Sequence, residues 1–217
     1  MRRIEKKGEP EILRDNKIEW TAEYIADPNN KTKKYRYRND QIKQTLKDET
    51  SNKCVYCESK IGHNTPGDVE HKVPSSVNRT KHFEWDNLTI ACTECNRRKN
   101  AYFSAQKPFL DPYTDQVEEL VIHYGPIVCW KPGAENAEIT IKTLELHSTT
   151  RSELIARKVE KIEALNNLVE RISRATGVMK EMLEIQLDGM RSRDAEYSGM
   201  ICTICETIEL RGSERTT

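Results

Sequence analysis

The chain has 217 residues, 36% hydrophobic and 32% charged, with 35 Lys/Arg balanced by 35 Asp/Glu. That length suits one ordinary domain, or a small catalytic module with an appended part. Its apolar residues are clustered and periodic, which excludes a wholly disordered chain. No stretch approaches the roughly 20 apolar residues of a membrane span. Residues 1–11 are charged and lack the apolar core of a signal peptide. The expectation is therefore a cytoplasmic protein with no membrane partner. The charge is uneven, since residues 1–47 hold 13 Lys/Arg against 8 Asp/Glu and residues 108–217 hold 13 against 19. A basic first half can meet nucleic-acid phosphates or be ordinary solvated surface. The acidic second half is expected to face solvent or a protein partner.

Residues 1–52 read as a basic arm leading into a helix, interrupted by Pro10 and by Asp27-Pro28-Asn29-Asn30. Residues 31–38, Lys-Thr-Lys-Lys-Tyr-Arg-Tyr-Arg, interleave basic and aromatic side chains. This suits a strand or loop along a phosphate backbone, and equally a surface segment whose tyrosines pack inward. Ile42 and Leu46, four apart, predict a short amphipathic helix. Extended runs are expected at residues 68–73 and 88–92, followed by a basic helix from near Thr93. Residues 117–124, 127–130 and 138–141 read as strands separated by Gly125-Pro126 and Pro132-Gly133 turns. From Ser148, a plausible helix cap, apolar residues keep helical spacing to Ile172. Gly177 marks a break before two further helices, one through Met179 to Met190 and one through Ile201 to Ile208.

Seven cysteines, an odd number without a secretory signal, argue against a disulfide framework. Two Cys-x-x-Cys turns, Cys54/Cys57 and Cys92/Cys95, each aim two thiolates at one point. Together they complete the tetrahedral shell that Zn²⁺ prefers, with no position left for water. The expected zinc site is structural. Cys202/Cys205 falls within an apolar helical stripe and reads as small buried packing. His63, His82, His123 and His147 read as structural or surface residues, in a hairpin loop, a polar loop, a strand and near a helix start.

Between the cysteine pairs lie Gly67-Asp68-Val69-Glu70-His71 with Pro74, then Trp85-Asp86-Asn87, then Asn96-Arg97-Arg98-Lys99 after Cys95. This set resembles the HNH endonuclease family, in its zinc-containing branch, including the nine-residue step from Asn87 to Asn96. Asn96 stands where His is the other common choice. The resemblance implies an α+β protein: a ββα-metal nuclease core stapled by the four-cysteine zinc site, a small β-containing extension and a C-terminal helical region. His71 would act as general base, since an imidazole titrates near neutrality. Glu70 and Asn96 would hold one hard divalent cation, Mg²⁺ or Mn²⁺. Asn87 would orient His71 and steady the intervening loop, or serve as a turn-forming residue after Asp86. Glu70 and His71 alternate faces on a regular strand, so a bend between Gly67 and Pro74 is expected. Arg97, Arg98 and Lys99 are candidate phosphate contacts.

The flanking residues carry a narrower resemblance. Tyr35-Arg36-Tyr37-Arg38, Lys53 through Ile61, Asp111-Pro112 and Leu144-Glu145-Leu146-His147-Ser148 are similar to the PtuB family. That family comprises the HNH nuclease components of Septu-type and retron-linked antiphage systems. It implies cleavage of double-stranded DNA in defence, together with an SMC/ABC-like ATPase subunit of the PtuA type. The divisions expected are a basic N-terminal arm and helix (1–52), the nuclease core (53–107), a β-rich extension (108–147) and a helical region for partner docking (148–217). The competing readings are a non-catalytic zinc-stabilised module that grips nucleic acid or protein, and a ribonuclease acting on tRNA.

Overall fold

The computed structural model describes residues 1–62 and 66–214. His63, expected in a hairpin loop, lies outside them. The chain begins with α1 (Glu11–Ala26), the short α2 (Lys31–Lys34) and α3 (Asp40–Glu49). Strands β1 (Asp68–His71) and β2 (Leu88–Ala91) pair antiparallel, with Val69 opposite Ile90 and Glu70 opposite Thr89. Helix α4 (Thr93–Lys99) follows directly and packs on β1, while α3 packs on β2. Next come α5 (Val117–Leu120), a hairpin of β3 (Val121–Tyr124) and β4 (Ile127–Trp130), and α6 (Glu135–Thr143). Three longer helices close the chain: α7 (Ser152–Arg174), α8 (Gly177–Arg191) and α9 (Ser198–Glu214). No helix among the described residues is long and apolar enough to cross a membrane.

The expected ββα core forms because its strands are buried on both sides. Every residue of β2 is buried, and Ile42 and Leu46 of α3 are fully enclosed. Each such aliphatic side chain contributes roughly 1.5–3 kcal/mol by leaving water. Gly67 takes φ +70° just before β1, and a Cβ there would lie 2.8 Å from Ile61 Cδ1. Both the dihedral and the space demand glycine.

Several local expectations are corrected. Residues 31–38 form α2 and a 3₁₀ turn, not a strand or extended loop. Asn30 caps this helix by accepting from the Lys33 amide at 3.2 Å, and Tyr37 turns inward. Residues 11–26, read as part of an arm, are a helix with only Leu13 and Tyr24 fully buried, too sparse an apolar pattern to show as a stripe. The strand expected over 117–124 starts only at Val121, after a helical turn. Residues 138–141, expected as a strand, lie inside α6. Ala134, Ala137, Thr140, Ile141 and Leu144 are all buried at spacings of three or four, so the buried period is helical. Residues 108–147 thus hold one hairpin among helices. Ser148 accepts from the Thr150 amide and caps a 3₁₀ turn that leads into α7, as its position suggested.

The C-terminal helices are built into the core. Tyr197 and Ser59 hydroxyls lie 2.9 Å apart, Lys53 Nζ donates to the Ala195 carbonyl at 3.0 Å, and the Lys60 amide donates to Glu196 at 2.9 Å. Glu58 sits beneath this junction. Burial alone would raise its pKa, but the Met1 amino group at 2.8 Å and Lys53 outweigh it and hold the carboxyl at about 2.

Candidate functional site

Two centres share the ββα unit. The first is the cysteine cluster. The sulfurs of Cys54, Cys57, Cys92 and Cys95 all lie within 4.8 Å of one another, and those of Cys57 and Cys92 are 3.8 Å apart. Four sulfurs at ~2.3 Å from one tetrahedral ion would be about 3.8 Å apart. Glu58, at φ +61°, closes the first turn, its amide donating to the Cys54 carbonyl at 3.0 Å. Cys92 caps α4, its sulfur accepting from the Cys95 amide at 3.4 Å. Arg151, nearly buried, donates through Nη1 to Cys95 Sγ at 3.5 Å and to the Leu144 carbonyl at 3.0 Å. An enclosed guanidinium beside four sulfurs matches a set of thiolates whose negative charge exceeds that of one divalent ion. The donor set therefore fits zinc. Arg151 comes from the C-terminal part of the chain, and no spacing rule in the sequence points to it.

The second centre lies at the end of β1, where a cleft of about 380 Å³ is lined by Glu70 and His71. His71 is the last residue of the strand and partly buried, and Glu70 before it is 4% exposed. The His71 ring lies parallel to His82, at a centroid distance of 4.6 Å and an angle of 7°. His82 is in turn stacked on Tyr24 at 4.3 Å, and Tyr37 stands edge-on to both imidazoles. His71 Nε2 donates to the His82 carbonyl at 3.0 Å. A carbonyl only accepts, so Nε2 carries the proton and Nδ1 keeps its lone pair. Burial, then the neighbouring His82, hold the His71 pKa down to about 3, so the ring is neutral at pH 7. His82, read from the sequence as a residue of a polar loop, is 1% exposed and donates through Nε2 to the Lys34 carbonyl at 2.8 Å.

Asn87 does not touch the His71 ring. Its Oδ1 accepts from the Val73 amide at 2.7 Å, and its Nδ2 donates to the Val73 and Lys81 carbonyls at 3.0 and 2.8 Å. Its own carbonyl accepts from the Lys72 amide at 2.9 Å. It ties both ends of the 73–81 loop to the strand pair, and that loop ends beside His82.

Opposite His71, β1 meets α4 through two polar pairs. Glu70 Oε1 is buried 2.5 Å from Lys99 Nζ, a close ion contact out of line for a directed hydrogen bond. Lys99 Nζ also donates to the His71 carbonyl at 2.9 Å. Burial raises the Glu70 pKa while Lys99 opposes the rise. Asn96 Nδ2 donates to Asp68 Oδ2 at 3.3 Å. The structure thus sets Glu70 against Lys99 and Asn96 against Asp68, two steps along one strand and three along one helix. The oxygens of Glu70, Asp68 and Asn96 are the hard donors a cation such as Mg²⁺ prefers, and Glu70 Oε1 faces the Lys99 ammonium. Among the described residues, the cysteine cluster is the one group of three or more His, Cys, Asp or Glu side chains gathered closely enough to hold a metal ion, so Glu70 and Asn96 are candidate ligands by the chemistry of their oxygens. Among the candidate phosphate contacts, Arg97 is bound twice to Glu94 at 2.8 Å, Arg98 pairs with Glu94 and Glu145, and Lys99 is 2% exposed. Asn100, at φ +47°, lines the cleft but has no motif of its own.

A strand pair feeding a helix, two Cys-x-x-Cys turns joined at one point and a histidine at the strand end coincide with a family match. The HNH endonuclease family model covers residues 54–101. The chain carries an HNH endonuclease domain. The chain is also similar to proteins named Septu protein PtuB. One, from Bacillus thuringiensis, is 25% identical over 213 residues, covering 93% of this chain and 80% of the relative. Another, from Bacillus mycoides (strain KBAB4), is 28% identical over 158 residues, 58% of this chain and 54% of the relative. The first match runs well beyond the HNH domain, through the helices that supply Arg151.

Proposed function

We propose that the HNH domain cuts double-stranded DNA as the nuclease of an antiphage defence system, with His71 as general base. The observation that carries this is the state of His71. It is a neutral imidazole whose Nε2 proton is committed to a carbonyl, held by a stack of rings beside a buried carboxylate. Its free Nδ1 is the atom that takes the proton from an attacking water. The His82 carbonyl, which accepts from Nε2, partly offsets the burial and the His82 ring that disfavour an imidazolium. Glu70 and Asn96 would hold the divalent cation, with Asp68 orienting Asn96. When bound, that cation, Mg²⁺ or Mn²⁺, neutralises charge on the scissile phosphate and the departing oxygen. Lys99 opposes the rise that burial imposes on the Glu70 pKa. Asn87 fixes the loop that carries His82 toward the site. Incubating the protein with plasmid DNA and with tRNA, each with and without Mg²⁺, tests the substrate. Mg²⁺-dependent nicking of plasmid with intact tRNA is expected. Cleavage of tRNA alone would move the reading to a ribonuclease, and cleavage of neither would favour a binding module.

The similarity to Septu protein PtuB extends the proposal to a partner, an ATPase subunit of the PtuA type. Helix α8 offers it a surface, because Val178, Met179, Met182 and Ile185 are 55–71% exposed at helical spacing. Removing the helices from Ser148 onward would also remove Arg151 from the cysteine cluster, so the informative change is a point substitution. Met182→Asp is expected to abolish co-purification with the ATPase while leaving the melting temperature within about 2 °C, since a surface change away from the core stays within ~0.5 kcal/mol. Full retention of the ATPase would remove α8 from the interface.

A further inference from the structure

We infer that Lys34 and Arg79 bind the phosphodiester backbone of the substrate in the His71 cleft, in place of the three basic residues of α4. The inference rests on the nuclease reading above. Both residues line the cleft that holds Glu70 and His71. Among the described residues, neither has a carboxylate partner; the Lys34 ammonium has only the Tyr35 ring, at 5.7 Å. Arg36 is committed to Glu23 and Lys72 to Asp111 at 2.8 Å, while Arg38 lies over the Tyr35 ring at 4.2 Å. The cleft's one acidic lining residue, Glu70, is matched by Lys99, so the cleft keeps an uncompensated positive charge.

The placement is also rigid. The Lys34 carbonyl accepts from His82 Nε2, so α2 is tied to the ring stack that holds His71. Asn30 caps α2 from the other end. Arg79 opens a 3₁₀ turn capped by Asn78, whose Oδ1 accepts from the Thr80 amide at 2.9 Å, and that turn packs on α1. Two cations without carboxylate partners, both lining a polar cleft of about 380 Å³, are what a phosphate chain requires. By contrast, a phosphate reaching α4 would have to displace Glu94 from both Arg97 and Arg98. The sequence showed the basic character of residues 31–38. Only the fold shows that Lys34, and with it Arg79 from a different loop, faces the site.

The test is binding of a labelled short DNA duplex, and of an RNA hairpin, to the full chain between about 50 and 200 mM salt. It is done in a His71→Ala background so that the strands stay intact. Lys34→Gln with Arg79→Gln keeps every backbone contact and should keep the melting temperature. The slope of log Kd against log salt is expected to become shallower by roughly two on the preferred probe, about one for each lost phosphate contact. Arg97→Gln is expected to leave the slope unchanged. An unchanged slope in the double variant overturns the proposal. So does a slope lost to Arg97→Gln instead, or no salt-dependent binding of either probe. Strand cleavage persisting in the His71→Ala background would instead count against the nuclease assignment of His71, leaving the binding result to stand separately.

Discussion

Cys54→Ser is expected to yield a chain without bound zinc that no longer folds cooperatively. Cys54 is 1% exposed and one of four sulfurs gathered within 4.8 Å. A structural zinc site is worth roughly 10–16 kcal/mol in small modules, which is comparable to or larger than the ~5–15 kcal/mol total stability of an ordinary domain. A serine hydroxyl is a poor substitute for a soft thiolate ligand. Loss of the ion would also strand the buried Arg151 guanidinium beside Cys95 and unpin α4, whose cap is Cys92 itself. Because the C-terminal helices dock on this turn through Ser59 and Lys60, the damage should spread beyond residues 54–101. Metal content by mass spectrometry and a thermal melt check this together. One zinc per chain and a wild-type melt in the variant would show that the four cysteines are packing residues and nothing more.

His71→Ala is expected to lower the cleavage rate about 10³-fold, within the range of 10²–10⁴ for losing a general base, or roughly 4 kcal/mol of barrier. The fold should tolerate the change. His71 is only partly buried at the strand end, and the neighbouring stack of His82 on Tyr24, with Tyr37 at its edge, does not pass through it. Nucleic-acid binding should survive as well, since a neutral His71 ring supplies no charge to a phosphate. A selective loss of rate with binding and melting preserved is the signature of a group that acts on the reacting atoms.

Much of this site was legible in the sequence, for a physical reason. Metal geometry fixes spacing: two thiolates from one turn need two intervening residues, and the step from Asn87 to Asn96 follows from a strand running straight into a helix. Those constraints are local, so Cys54, Cys57, Cys92 and Cys95 and the β1, β2 and α4 elements could be placed from residue order. The ring stack was not legible, because Tyr24, Tyr37, His71 and His82 come from four separate segments and meet only through tertiary packing. Arg151 was hidden for the same reason. Residues 138–141 misled because Glu138-Ile139-Thr140-Ile141 alternates polar and β-branched residues over four positions, while the helical period of α6 needs its flanks, Ala134, Ala137 and Leu144, to be seen. The charged run after Cys95 shows its pairing only in the fold. It is basic in composition, yet Glu94, Glu145 and Glu70 neutralise it in place.

The central claim is that His71 drives metal-dependent phosphodiester cleavage in this HNH domain. Its most direct test is the rate of plasmid nicking in Mg²⁺ by purified wild-type and His71→Ala protein, each assayed alone and with a PtuA-type ATPase as the proposed partner, and each checked for zinc content. A wild-type rate abolished by chelation and a variant rate lower by two to four orders of magnitude, about 10²–10⁴-fold, is the predicted result. Nicking by His71→Ala within a few-fold of wild type would contradict the account.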